Sequence, residues 1–132
     1  MFKMDEVTGD QTVRQGDDYS FSVVGISDDW DVYYSVYRAS DRQIMFEIKS
    51  KPENEVTLFN ITPADSELLT VPVNKKVEIY YYGIKRCKDG REDTVIVGTK
   101  KDGSPKEVTD LNKVTVLPLT NEGDENGSSE NS

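Results

Sequence analysis

The side chains able to do chemistry are few, and their types narrow the options quickly. The chain has no histidine and one cysteine, Cys87. Without imidazole, the commonest general base and metal ligand is missing, and so is every Ser-His or Cys-His nucleophile pair. Cys87 stands among Lys85, Arg86 and Lys88, whose charges would lower its thiol pKa if they lay close. With no base beside it, it reads as a structural cysteine. Asp28, Asp29 and Asp31, with Asp17 and Asp18, offer carboxylate oxygens for calcium. They lack the alternating ligands, central glycine and distal glutamate of a calcium loop, and read as solvated turns. Asn60-Ile61-Thr62 and Asn126-Gly127-Ser128 match the glycosylation pattern by chance, since no secretion signal precedes them. The expectation is a protein with no catalytic residue, no cofactor and no metal.

Aromatic residues are the remaining chemical feature. Tyr33, Tyr37, Tyr80, Tyr81 and Tyr82 crowd into two segments. Tyrosine is at home in cross-strand packing and equally at interfaces or against sugar rings. Packing is the favoured reading, and for an interaction surface the candidates are Tyr33, Tyr37, Tyr80 and Tyr82.

Positioning these residues falls to strands. From Val77 to Lys100 two arms rich in β-branched and aromatic residues flank Asp89-Gly90, a pair suited to the positive φ angles of a hairpin turn. In the first arm the alternation is ambiguous: Val77, Ile79 and Tyr81 share one face, Tyr80, Tyr82 and Ile84 the other. A bulge near Gly83 or cover on both sides would explain it. Tyr19, Phe21 and Val23 alternate cleanly, as do Trp30, Val32, Tyr34 and Val36. Further strands are expected at 11–15, 44–49, 56–61 and 113–119. Ser66 to Leu69 is expected as a single helical turn, and 101–113 as a polar loop. Seven or eight short strands with regular turns predict an all-β fold, an antiparallel β-sandwich. The domain plan is a flexible lead-in over 1–10, the sandwich over 11–119 and a disordered acidic tail over 120–132.

Charge excludes one class of partner. Of the net −9, the tail carries −4 through Glu122, Asp124, Glu125 and Glu130, which leaves −5 for residues 1–119. An acidic surface repels phosphate backbones, so nucleic acid is not an expected partner. No segment approaches the roughly 20 apolar residues of a membrane span, and the N-terminus lacks the apolar run of a signal peptide. A soluble product made in the cytoplasm, with no membrane partner, is the expectation.

A series of short motifs adds a resemblance. Gln15-Gly16-Asp17-Asp18-Tyr19-Ser20-Phe21 gives a "G-D" turn before an alternating strand. Ile61-Thr62-Pro63-Ala64-Asp65-Ser66, then Tyr80-Tyr81-Tyr82-Gly83-Ile84, Asp89-Gly90 with Thr94-Val95, and Lys113-Val114-Thr115-Val116-Leu117 follow in order. From Gln15 to Leu119 the chain resembles the immunoglobulin-like domains of tailed-bacteriophage virion proteins, of the type at the N-terminus of baseplate upper proteins. It departs in carrying Gly83 where that family has an acidic residue, in a longer segment 70–76, and in an insertion over 101–112. The resemblance implies an immunoglobulin-like sandwich in a phage or prophage tail or baseplate. It would be non-enzymatic, reside in the virion, and contact other virion proteins or itself. A carbohydrate- or receptor-binding β-sandwich module is the alternative.

Overall fold

The computed structural model describes residues 2–119. Nine strands and one helical turn follow in order: β1 (Phe2–Met4), β2 (Gln11–Arg14), β3 (Tyr19–Val24), β4 (Asp31–Arg38), β5 (Ile44–Ser50), β6 (Val56–Ile61), α1 (Pro63–Ser66), β7 (Glu78–Lys88), β8 (Arg91–Val95) and β9 (Asn112–Leu117). They form the expected all-β sandwich. One sheet runs β1-β2-β9-β7-β4-β5 with β8 also on β7, and the other is the pair β3-β6.

Alternation decides which side chains the two sheets enclose. In β4, Val32, Tyr34 and Val36 are buried, and in β7 the buried set is Tyr80, Tyr82 and Ile84. Phe21, Phe59 and Ile61 from the smaller sheet close over them. Phe21 meets Tyr34 edge-on at 4.8 Å between ring centroids and Phe59 at 5.4 Å, geometries that aromatic quadrupoles favour. The register of β7 on β4 is unbroken from Asp31–Cys87 to Arg38–Tyr80. No bulge falls at Gly83; the irregularity in this sheet lies between Val36 and Tyr37 of β4, on the β5 side.

The topology brings the two ends of the sandwich side by side in the larger sheet. The first strand of the core, β2, runs parallel to the last, β9, with Gln11 opposite Val114, so the sandwich is not wholly antiparallel. The connection from β6 to β7 carries a corner in which the Tyr80 hydroxyl donates to the Thr70 carbonyl at 2.7 Å. The helical turn starts earlier than the spacing predicts. Thr62 caps it, accepting from the Asp65 amide at 3.2 Å while Asp65 accepts from the Thr62 amide, and Pro63 supplies a preset φ at the first helical position.

Two expected boundaries need correction. The lead-in 1–10 is not loose over its described part: Phe2–Met4 pairs antiparallel with Gln11–Val13 of β2, and the Phe2 ring stacks on Tyr19 at 4.9 Å. Phe2–Met4 is therefore a strand of the larger sheet and not part of a flexible lead-in. The second hairpin arm ends at Val95, and Gly98 instead lies against the Thr8 backbone. The segment leaves the sheet because the Thr99 amide donates to the Val7 carbonyl at 2.8 Å. The tail 120–132 lies outside the described residues.

Candidate interaction face

The outer face of the larger sheet is built from the residues that alternate away from the core. On β4 these are Tyr33 and Tyr37, both half-buried, together with the buried Ser35; on β7 they are Tyr81, Gly83 and Lys85. The ladder sets Tyr37 opposite Tyr81, Ser35 opposite Gly83 and Tyr33 opposite Lys85. Lys85 holds its ammonium 5.7 Å from the Tyr33 ring centroid. Ser35 donates to Glu47 of β5 at 2.5 Å.

Gly83 marks a fork. One edge of β7 is shared, with β9 pairing Glu78–Tyr82 and β8 pairing Ile84–Lys88. A side chain there would meet the Tyr37 ring at 3.6 Å, so glycine leaves a groove of about 310 Å³ between Tyr37, Arg42, Lys85, Thr94, Val108 and Leu111. A polar knot holds the fork open behind it. Lys106 donates to the Thr8 carbonyl at 2.6 Å, the Val97 carbonyl at 3.0 Å and Asn112 Oδ1 at 2.7 Å. Asn112 donates to the Tyr82 hydroxyl at 2.9 Å, and Tyr82 donates on to the Gly9 carbonyl at 2.6 Å.

Of the four tyrosines expected at an interaction surface, the structure brings two to this face. Tyr33 and Tyr37 lie on it. Tyr80 and Tyr82, at 3 % and 2 % exposure, belong to the core, and the outward residue of the run is Tyr81. The reason is parity: Gly83 shares the Tyr81 face, and a strand places its glycine where no volume is needed for packing. Arg42 and Leu111 were not singled out from sequence, and Lys85 and Thr94 entered there only as a neighbour of Cys87 and as part of the hairpin motif. Arg42 sits in a turn at φ +61°, and Leu111 follows a long polar segment, so neither position carries a periodic signal.

The other candidate chemistry resolves into structure. Asp28 accepts from the amides of Asn54 and Glu55 at 3.0 and 2.8 Å. Asp29 pairs with Lys88, and that partner, with the Ser27 hydroxyl, draws its carboxyl down to about 2. Asp31 faces Lys49 and Lys51 at 3.9 and 3.4 Å. Among the described residues no three His, Cys, Asp or Glu side chains group as metal ligands. The Cys87 thiol is pushed up, not down, by desolvation and by the Glu92 carboxylate 3.7 Å away. Arg86, Lys88 and Arg91 turn instead to Trp30, with Arg86 at 4.4 Å from its ring centroid, an arrangement of cations over an indole face. No helix among the described residues is long and apolar enough to cross a membrane. Comparison with known proteins assigns no family: no family model matches this chain, and no curated protein sequence matches it.

Proposed function

We propose that this chain is a non-enzymatic structural component of a tailed-phage or prophage virion, in its tail or baseplate, working through contacts with other virion proteins. The observation that carries the reading is the ordered motif series from Gln15 to Leu119 and its resemblance to virion immunoglobulin-like domains. The outer sheet face with its half-buried tyrosines suits such a role, because symmetric assemblies multiply individually weak contacts. Peptide mass spectrometry on purified particles tests it. The chain is expected among the particle proteins at a copy number fixed by the symmetry. Abundant protein in the lysate with none in the particle overturns the reading.

The groove over Gly83 supports a second reading, a carbohydrate- or receptor-binding module. Its volume of about 310 Å³ suits one sugar ring beside Tyr37, with Arg42 and Lys85 as donors. A glycan array with the wild type beside Tyr37→Ala and Tyr33→Ala decides it. Binding by the wild type that Tyr37→Ala abolishes favours the module, and no wild-type binding at millimolar sugar ends it.

A further inference from the structure

The β3-β6 pair has two edges, and they are treated differently. Gly25 donates its amide to the Glu55 carbonyl at 2.9 Å, one step beyond the Val24–Val56 pair. In an antiparallel ladder this phase puts Tyr19, Phe21 and Val23 in the hydrogen-bonded pairs and turns the main-chain groups of Ser20, Ser22 and Val24 outward. The same phase turns out those of Val56, Leu58 and Asn60 on β6. There the edge is covered at Val56 and Leu58: Val56 exchanges both hydrogen bonds with Glu53, at 2.9 and 3.0 Å, and the Leu58 carbonyl takes the Ser50 hydroxyl at 2.6 Å. On β3, no strand among the described residues pairs with the outer edge.

That edge also lacks the usual protection. Natural edge strands carry charges, prolines or bulges that discourage pairing. In a chain with 31 % charged residues, the outward side chains here are Ser20, Ser22, Val24, Val56, Leu58 and Asn60. Val24 is 72 % exposed, Leu58 51 % and Val56 41 %.

The geometry points to a second copy of this chain as the occupant, joined β3 to β3 about a two-fold axis through Ser22. The free groups at 20, 22 and 24 are symmetric about that residue. Antiparallel pairing then sets Ser20 against Val24 of the other copy and Ser22 against itself, and every outward donor finds an acceptor. Asp18 falls opposite Ile26, and Asp17 opposite Ser27, so no acidic side chain faces another. Copies with a net charge of −9 repel one another, and this uncharged edge is where they meet with least opposition. The result is a four-stranded sheet, β6-β3 with β3-β6 of the partner copy. An isologous contact of this kind closes as a dimer. One strand pair is a small interface, so the dimer is weak and concentration-dependent. The inference does not depend on the virion reading, because association in solution is measured without any particle.

Sedimentation equilibrium on the full chain tests it, with Ser22→Lys, Ser22→Glu and their equal mixture. The wild type is expected to move from the mass of one chain, 14.9 kDa, toward twice that as concentration rises, more readily at high salt as repulsion is screened. Each single variant is expected to stay monomeric, since like charges would sit across the axis, and the mixture to associate. Amide exchange gives a readout that needs no variant: Ser20, Ser22 and Val24 should slow as concentration rises. A wild type that stays monomeric, single variants that still dimerise, or a mixture that stays monomeric although both variants keep the wild-type Trp30 fluorescence overturns the proposal. So does protection of those amides independent of concentration, which would mean that the chain covers its own edge.

Discussion

The hydroxyls of Tyr19 and Tyr34 lie 2.8 Å apart in the core. Tyr34 donates to Gln11 Oε1 at 2.7 Å, so Tyr19 supplies the proton between the two rings. This chain of bonds ties β2, β3 and β4 together and lets both sheets place polar atoms where only apolar ones would otherwise be tolerated.

Alkaline sensitivity follows. Burial raises the pKa of Tyr19, Tyr34 and Tyr82 above the ordinary 10.0. The folded state therefore keeps protons that the unfolded chain loses, and stability falls as pH rises through about 10, the unfolded value. Below that pH these groups contribute no slope. Urea midpoints measured from neutral pH upward should be level and then drop, with the ultraviolet tyrosinate signal of these three residues appearing only on unfolding. A midpoint that stays level through the tyrosine range would contradict the buried network.

Two glycines should respond oppositely to alanine. At Gly98, φ is +76° and a Cβ would come within 2.3 Å of the Thr8 carbonyl oxygen. Gly98→Ala must displace backbone and is expected to cost more than about 2 kcal/mol. At Gly83 the nearest atoms are those of the Tyr37 ring at 3.6 Å, an ordinary contact. Gly83→Ala should be neutral or add up to about 1 kcal/mol by restricting the unfolded chain. Thermal melts of the two variants side by side give the comparison.

Thr57 is fully buried, and its hydroxyl has no partner among the described residues. Thr57→Val keeps the shape and removes the unpaired oxygen, so it should stabilise the domain by about 1 kcal/mol. A destabilised Thr57→Val variant, by denaturant midpoint, would mean that the hydroxyl is satisfied.

How much of this was legible in the sequence depends on how local the cause is. Strands β3 and β4 were readable because Tyr19-Phe21-Val23 and Val32-Tyr34-Val36 alternate within the strand itself. The short β1 was not, because three residues carry no period and Phe2–Met4 is held by bonds from Gln11–Val13. The parallel β2-β9 pairing joins Gln11 to Val114, and no local pattern encodes it. The tyrosines of the face were half legible. Tyr33 and Tyr37 fell on the correct side, whereas Tyr80-Tyr81-Tyr82 offers both parities equally, and Gly83 alone breaks the tie. The outward phase of the β3 edge depends on one hydrogen bond from Gly25, visible only in three dimensions.

Lys106 pins the segment between β8 and β9 to the turn before β2. Its ammonium answers three oxygens, those of Thr8, Val97 and Asn112, and the Thr99 amide adds a bond to Val7. Lys106→Met keeps much of the apolar stem but leaves these acceptors short of a donor. The expected cost is about 1–3 kcal/mol for bonds to a charged group, less where water reaches the oxygens. The loss should be largely local, since Lys106 bonds no residue of β4 or β7 and reaches the β4-β7 ladder only at second hand, through Asn112 and the Tyr82 hydroxyl. Exchange of the Thr99 amide should accelerate by about tenfold for each 1.4 kcal/mol lost, while amides of Val32–Val36 change only with global stability. If all these amides accelerate together, Lys106 supports the whole sandwich and not the segment beside the groove. If none does, the ammonium contributes nothing at this site.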